Sequence, residues 1–323
     1  MPAHTWIETK TVGILQNHQL SKKLLKVAAG KCLVLPFTHD HGIGVKRNAG
    51  EMVNIMHVNR LPNSTSSQLE EETGFPVRKL SWANRALQLK AYGEGVEYSD
   101  LMEYLMAFQP SNSIQKALSD QMEEQLDSLA ANAFMDPTAA KIIYTPTSLT
   151  GGSFGVTGTP AAGVSAVPLT FDHCTAIVDY MRDTIHVPFY EGSNYVGLSC
   201  NKNMRSLKND RYWQMWHMYA QKVDFAYKGE MGMTEGIRWV EVNRAMAFSN
   251  IAGTSATLGE AVVFGDEAVA RLEVLAPHLR LDKNFQNRFG TVQACAWYAI
   301  LAMGSVWDLA DDGKAKIVRV DSQ

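Results

Sequence analysis

The sequence predicts an α+β fold, with both helices and strands along one chain. Three observations indicate this class. Residues 111–136 have the apolar spacing of one long amphipathic helix. Two strand-like runs flank a polar loop between residues 51 and 91, and β-type segments close the chain after residue 291. With 323 residues, of which 46% are hydrophobic, the chain can form one large domain or two moderate ones.

Charge and cysteine content exclude several classes of protein. The formal net charge of -3 argues against a protein that binds nucleic acid over its whole surface. The four cysteines include no C-x-x-C pair, so we expect reduced thiols. The first residues lack an apolar run before a cleavage site, so we expect no secretory signal. The apolar stretch 291–307 is short for a membrane span and contains Gln293, so we interpret it as a core element.

The first ninety or so residues are predicted to form an arm and a long hairpin. Residues 20–29 have the pattern of a short basic helix, and residues 1–48 as a whole are expected to form an extended arm. Residues 51–60 and 84–91 are predicted strands, joined by a polar loop of about twenty residues. Because an isolated hairpin is only marginally stable in water, this one must lie on its own body or on a neighbouring subunit.

Two helices are predicted next. The first covers residues 100–108, and the second begins at a cap formed by Ser111 or Ser113 and ends before Pro137. The apolar stripe of the second helix consists of Ile114, Leu118, Met122, Leu126, Leu129 and Ala133. The opposite face, expected to meet solvent or a partner, consists of Lys116, Asp120, Glu123, Glu124 and Asp127.

The remainder is predicted to mix helices and strands. Residues 147–167 are rich in Gly, Ser, Thr and Pro, which indicates a linker or mobile loop. The elements that follow are a helix capped by Thr170, a strand in 193–200, a helix over 211–227, a strand over 237–242, a strand followed by a helix in 259–272, and further sheet in 291–307 and 314–320.

The stretch KGEMGMTEGIRWVEVN, residues 228–243, raises the question of a phosphate-binding loop. Its glycines, Gly229, Gly232 and Gly236, match neither the Rossmann fingerprint nor the P-loop. A phosphate loop follows a strand and opens a helix, whereas here the predicted helix comes first and a strand follows. We therefore interpret the glycines as a helix C-cap and a turn.

Two clusters of polar residues are candidates for a functional site. His39 and His41 would point to the same side of an extended strand and could begin a metal site, but no HExxH motif or His–Cys cluster completes it. A surface or satisfied histidine pair is the stronger interpretation. The acidic run at residues 70–72 lies in the polar loop, shortly before a basic pair at residues 78–79, and could pair with a basic patch on a neighbour. No sequence motif supports a Ser-His-Asp or Cys-His nucleophile.

Several motifs occur in an order that is typical of one family. They are GEMVNIMHVNRLP and LEEETGFP in the hairpin, LKAYGEGVEYSDLMEYL before the long helix, LKNDRYWQMW with YKGEMGMTEGIRWVEVN, and VVFGDEAV with NRFGTVQACAWYAI. Together they resemble the major capsid proteins of tailed bacteriophages, which have the Hong Kong 97 fold. Within that group the motifs resemble the capsid family typified by the short-tailed phage N-four, over about residues 50–308.

The resemblance implies a domain organisation and a function. Residues 1–49 would form an N-terminal arm, 50–92 an extended β-hairpin loop over a neighbour, 93–150 a peripheral domain with its spine helix, 151–285 an axial domain, and 286–323 the return strands of the peripheral domain. The protein would be structural rather than an enzyme, with no cofactor or metal. Its copies would form the hexamers and pentamers of an icosahedral shell around the phage double-stranded DNA.

The resemblance also implies partners and a location. The partners would be further copies of the chain, a portal, a scaffold and a decoration protein, with DNA contacted non-specifically and no membrane. The shell would assemble in the host cytoplasm and belong to the virion. The candidates for contacts between subunits are Glu70, Glu71, Glu72, Arg78, Lys79, Arg238 and Glu241. Two alternatives stay open: an encapsulin-like nanocompartment shell of the same fold, and a metal-dependent enzyme that uses His39 and His41.

Overall fold

The computed structural model of the protein describes residues 32–41, 51–58, 61, 77–105, 110–136, 140–144, 168–219, 230–242, 259–283, 286, 289–307 and 316–322. The helices are α1 (Asp100–Leu105), α2 (Pro110–Phe134), α3 (Phe171–Asp179), α4 (Asn201–Asn209) and α5 (Arg211–Tyr219). The strands are β1 (His39–Asp40), β2 (Met52–Val58), β3 (Trp82–Gln88), β4 (Lys90–Ser99), β5 (Ala140–Tyr144), β6 (Tyr195–Ser199), β7 (Glu230–Thr234), β8 (Ile237–Glu241), β9 (Gly259–Phe264), β10 (Val269–Asp282), β11 (Val292–Ser305) and β12 (Ile317–Ser322).

The chain divides into two compact units. The first contains the described parts of Ala91–Gln125 and Leu275–Ile300, and the second those of Cys32–Lys90, Leu126–Val274 and Leu301–Gln323. Helix α2 and strands β10 and β11 contribute residues to both units, because the division falls within them. Among the helices described, none combines the length and apolar character that crossing a bilayer requires.

The second unit is built on a mixed six-stranded sheet with the order β5-β12-β9-β6-β8-β7. Strands β12 and β5 run parallel, as do β6 and β8, and the other neighbouring pairs are antiparallel. Every residue of β6 is buried, because this inner strand is covered on both faces. A strand in that position has a nearly continuous apolar sequence rather than an alternating one, as the run YVGL does.

Two apolar clusters pack on this sheet, and neighbouring residues of β6 belong to different ones. Val196 and Leu198 belong to the cluster that includes Phe134 at the end of α2. Tyr195 belongs to the cluster that includes Ile177 of α3. Full burial of each such side chain stabilises the unit by roughly 1.5–3 kcal/mol. The helices are therefore held mainly by apolar packing against the sheet.

In the first unit, α2 is joined to the strands by polar side chains. The Trp297 Nε1–H of β11 donates to Oε1 of Gln121 on α2, and the Gln121 amide donates to Glu94 of β4. A Cβ at position 93 would come within 2.7 Å of the carbonyl oxygen of Trp297, so Gly93 permits β4 to lie this close to β11.

Most of the predicted elements are confirmed, with shifted ends. Helix α2 matches the predicted long helix, β2 and β3 match the hairpin strands, and β11 and β12 match the closing sheet. The helix predicted at Thr170 is α3, and the Thr170 N–H donates to Nδ1 of His173 at 3.1 Å, as in a capping box. Helix α5 covers the first part of the helix predicted over 211–227. The predicted arm helix at 20–29 and the linker at 147–167 lie outside the described residues.

The helix predicted after β9 is wrong. The chain turns at residues 265–268 and continues as the strand β10, which lies between β1 and β11 in a sheet ordered β1-β10-β11-β4. Glu267 adopts a left-handed conformation in this turn, with φ of 51°. Both Val269 and Ala270 are buried, so β10 begins without the alternation by which a strand is recognised. Pairing with neighbouring strands overrides the helical preference of its Ala and Leu residues.

The described part of the glycine-rich stretch, from residue 230 onward, forms a β-hairpin. Strands β7 and β8 pair antiparallel and are joined by Glu235 and Gly236, whose φ angles are 43° and 88°. Positive φ at both central residues is the geometry of the common two-residue hairpin turn. The predicted turn is therefore confirmed at Gly236. Gly232 lies inside β7 beside an irregularity in register, and Gly229 lies outside the described residues.

Candidate functional site

The hairpin of β2 and β3 has an inner face that packs on other strands of the second unit, to which it belongs. The two strands pair antiparallel, with Ile55 opposite Arg85 and Val58 opposite Trp82. Ile55 and Leu87 are buried and belong to a cluster with apolar side chains of β10 and β11. The hairpin is thus supported by its own body, which is one of the two possibilities that its marginal stability allowed.

The outer face of the same hairpin exposes several large apolar side chains. Because side chains alternate across a strand, the neighbours of the inner residues point the other way. Met52, Met56 and Val58 of β2 are 57%, 72% and 47% exposed, and Trp82 of β3 is 65% exposed. We call these four residues the outer hairpin face. Large apolar side chains exposed together in this way mark an interaction surface.

The chain that leads into β3 extends this exposure. Val77 is 91% exposed and Leu80 is 45% exposed. Arg78 and Lys79, two of the predicted contact residues, lie between them in the chain and are exposed as well. The other candidates of this loop, Glu70, Glu71 and Glu72, lie outside the described residues.

The remaining candidates, Arg238 and Glu241, have partners within the chain. Nη1 of Arg238 lies 3.7 Å from Oε1 of Glu230 across the β7–β8 hairpin, and the Glu230 side chain is only 1% exposed. Oε2 of Glu241 lies 4.0 Å from Nζ of Lys208. Arg238 is thus paired across two strands of one chain, and contact between subunits stays a prediction for both residues.

A buried carboxylate binds the backbone of a segment of the predicted arm. Asp127 of α2 was expected on the outer, solvated face of the helix, but it is only 3% exposed. Its Oδ1 accepts hydrogen bonds from the backbone N–H groups of Leu33, Val34 and Leu35, at 3.1, 2.8 and 3.0 Å. These donors compensate the charge that burial alone would penalise. They lie 92 to 94 residues away in sequence, so no local pattern indicates the contact.

Ion pairs support the short strand that follows this segment. His39 Nε2 lies 3.8 Å from Oε1 of Glu267, and Asp40 Oδ2 lies 3.8 Å from Nη2 of Arg271. The rings of His39 and His41 are 5.3 Å apart, which confirms that they lie on the same side. In the described ranges, no three His, Cys, Asp or Glu side chains are arranged to hold a metal ion.

The carboxylate of Glu267 also contacts a buried lysine. Its Oε2 lies 3.8 Å from Nζ of Lys316, and this ammonium group lies 3.9 Å from the centre of the Trp307 ring. Burial lowers the pKa of Lys316, and the charges of Glu267 and Asp266 act in the opposite direction. The turn before β10 therefore joins β1 to the start of β12 through charged side chains.

The thiol of Cys174 shows how inert a buried side chain in this core is. Cys174 lies on the buried face of α3 and is fully enclosed. Burial raises the pKa of Cys174 to about 12. The thiol stays protonated at neutral pH, and the thiolate is the form that acts as a nucleophile. Cys174 therefore has a packing role.

No known protein-family profile and no curated protein matches the sequence. Solved structures do match it. The chain is similar to the capsid asymmetric unit of cyanophage Pam1, with 14% identity, a TM-score of 0.76, and coverage of 95% of this chain and 96% of that one. The acid-stable capsid of Helicobacter pylori bacteriophage KHP30 has 11% identity and a TM-score of 0.69, with 95% of each chain covered.

The capsid of Ralstonia phage GP4 is a third such structure, with 15% identity, a TM-score of 0.68 and 95% of each chain covered. At these identities the sequences have diverged far, yet the elements follow each other in the same arrangement over nearly the whole chain. The predicted α+β fold of the Hong Kong 97 type is therefore confirmed: the chain has the fold of phage capsid proteins.

Proposed function

We propose that this protein is the major capsid protein of a tailed bacteriophage and that its copies assemble into an icosahedral shell around double-stranded DNA. The observation that carries the proposal is the agreement of its fold with phage capsid structures over 95% of the chain. The outer hairpin face supports the proposal, because large apolar side chains exposed together mark a surface that contacts another protein.

In this proposal, the outer hairpin face of one copy covers apolar surface of the next copy. The inner face holds the hairpin on its own unit through Ile55 and Leu87, so the outer face is presented in a defined position. A specific contact between proteins buries about 800 Å² per partner. Repeating one such contact around a ring of copies would hold a capsomer together without any single strong bond.

The organisation implied by the sequence completes the proposal. Residues 1–49 form the arm, 50–92 the extended loop, 93–150 and 286–323 the peripheral domain, and 151–285 the axial domain. The role is structural and not enzymatic, within the branch typified by the short-tailed phage N-four. The partners are other copies, a portal, a scaffold, a decoration protein and packaged DNA. The shell assembles in the host cytoplasm and is part of the virion.

Sedimentation velocity of the purified chain tests this function. We expect capsomers or shells for the parent chain. A variant that lacks residues 61–81 should remain a soluble, folded subunit that does not close shells, because the deletion removes the charged end of the hairpin. Shells of normal size from the deletion variant would contradict the role of the hairpin. Nuclease-protected DNA in shells recovered from infected cells separates a virion from a compartment that holds enzymes.

A further inference from the structure

The first unit carries an arginine that is held in one orientation by its neighbours. Nε of Arg280 donates a 2.8 Å hydrogen bond to Nε2 of His278, and the guanidinium carbon lies 4.9 Å from the centre of the Tyr298 ring. Because arginine can only donate, Nε2 of His278 must accept. The imidazole is therefore neutral, with its proton on Nδ1, which lies 2.9 Å from the carbonyl oxygen of Ala276.

The rest of this guanidinium group is available for a ligand. Arg280 is exposed and forms no ion pair with any residue in the described part of the chain. Nε uses one of the five N–H donors, so both terminal nitrogens remain. In contrast, Arg238 and Arg271 already contact carboxylates of their own chain. Since Arg280 is already oriented, it loses little freedom when it binds.

The surface beside this arginine has small side chains. A Cβ at Gly93 would lie 3.4 Å from the Tyr298 ring, and one at Gly95 would lie 3.0 Å from the side chain of Ala296. These residues therefore share a face with Tyr298. Trp297, the preceding residue of β11, points to the opposite face and contacts α2 there. A segment of a partner can thus approach Tyr298 and Arg280 from the side away from the helix.

We propose that Arg280, held by His278 and Tyr298, binds a carboxylate of a second copy of this chain, and that the run Glu70–Glu72 supplies it. Charge complementarity carries this choice, because residues 70–72 form the longest uninterrupted acidic run in the sequence. A planar guanidinium group binds a carboxylate through two parallel hydrogen bonds.

This inference rests on the proposed function, because the two residues meet only if copies of the chain assemble. The test compares the assembled fraction by sedimentation velocity at one concentration and salt. We expect Arg280→Glu to lower the assembled fraction at least tenfold, and the triple change of Glu70, Glu71 and Glu72 to Lys to lower it similarly. Combining both sets restores opposite charges and should return assembly to within threefold of the parent.

A matched control and a conservative variant exclude other causes. Arg205→Glu makes the same change of charge on an exposed arginine of α4 and should stay within twofold of the parent. Arg280→Lys keeps the charge without the planar group and should lower the assembled fraction about threefold. Thermal unfolding of the dissociated subunits should be the same for all variants, because Arg280 is exposed. If Arg280→Glu unfolds at a lower temperature than the parent, Arg280→Lys provides the test instead. Assembly of Arg280→Lys to the same extent as the parent would then overturn the inference.

The outcomes separate this inference from the proposed function. A parent chain that stays monomeric contradicts both. Parent shells together with unaffected assembly of Arg280→Glu overturn the inference alone, as does a combined variant that assembles no better than the worse single set. If Arg280→Glu shells form normally but package less DNA, the ligand of Arg280 is a phosphate and the inference is wrong.

Discussion

Among single residues, Asp127 makes the contact that attaches residues 33–35 to helix α2. Its carboxylate is the acceptor for three consecutive backbone N–H groups at residues 33–35. We expect Asp127→Ala to lower the free energy of unfolding by about 3 kcal/mol, because buried donors are left without an acceptor. Protease should then cleave within residues 32–38 more readily. Chemical denaturation and limited proteolysis measure the two effects.

Asp120→Ala is the matched control for this prediction. Asp120 lies on the same helix and forms a partly exposed pair with Lys116, one turn away, at 3.4 Å. Such a pair contributes roughly 0.3–0.5 kcal/mol. If the two alanine variants lose the same stability, the attachment of the segment does not depend on Asp127.

The buried thiol of Cys174 predicts a loss of stability in alkali. Its pKa is raised to about 12 in the folded chain, while an unfolded thiol ionises near its ordinary value of 9.0. Between these values the unfolded chain binds fewer protons, so the free energy of unfolding falls by about 1.4 kcal/mol per pH unit. Cys174→Ala should remove this share of the slope above pH 9, whereas Cys200→Ala should keep it. Chemical denaturation at several pH values measures the slope of the free energy of unfolding against pH. Equal slopes for the two variants would contradict this prediction.

The contacts of single buried side chains are the features that the sequence predicts least well. Asp127 sits on the helix face that carries charges in the sequence, and only the folded chain brings residues 33–35 to it. Glu267 shares its carboxylate between His39 and Lys316, and these partners come from distant parts of the chain. The hydrogen-bond partners of buried charges are supplied by tertiary structure, and local patterns do not encode them.

Among the elements, the β2–β3 hairpin has two adjacent residues that we expect to serve different purposes. One contributes to the stability of the fold and the other to assembly. Ile55 is buried on the inner face and Met56 is 72% exposed on the outer face. We expect Ile55→Ala to lower the free energy of unfolding by about 2–4 kcal/mol, because it leaves a cavity in the core. Met56→Glu should change it by less than about 0.5 kcal/mol and yet prevent assembly, because it places a charge in an apolar interface.

Thermal unfolding of the subunits and sedimentation velocity measure the two properties of this pair. Gln88→Glu, a change on the exposed side of β3 opposite Met52, is the control for added charge at the margin of the face. Assembly that survives Met56→Glu would show that the outer hairpin face is not an interface.

Elements in which apolar residues recur at a regular spacing are predicted well, and elements without such a spacing are predicted poorly. The stripe of α2 spans several turns, so its existence and ends are nearly correct. Strand β10 was predicted as a helix, because its first residues are buried without alternation and their neighbours in the sheet are far away in sequence. The β7–β8 hairpin was only recognised as a turn, since Glu235 at positive φ is not a residue that marks a hairpin.

For the whole molecule, the order of elements predicted more than any single motif did. The Hong Kong 97 type is indicated by several motifs, from the hairpin to the closing sheet, that occur in the order typical of one family. Phage capsid structures that are only 11% to 15% identical show the same fold, so the arrangement is preserved where the sequence is not. The contacts between copies depend on surfaces of two chains, and one sequence alone does not determine them.

Negative-stain electron microscopy of the purified chain, at assembly concentration and without other phage proteins, tests whether copies of the chain form a shell by themselves. We expect closed hollow shells, or rings of five and six copies, in the images. A uniform field of single subunits at every concentration, from a chain that is folded by circular dichroism, would contradict this expectation.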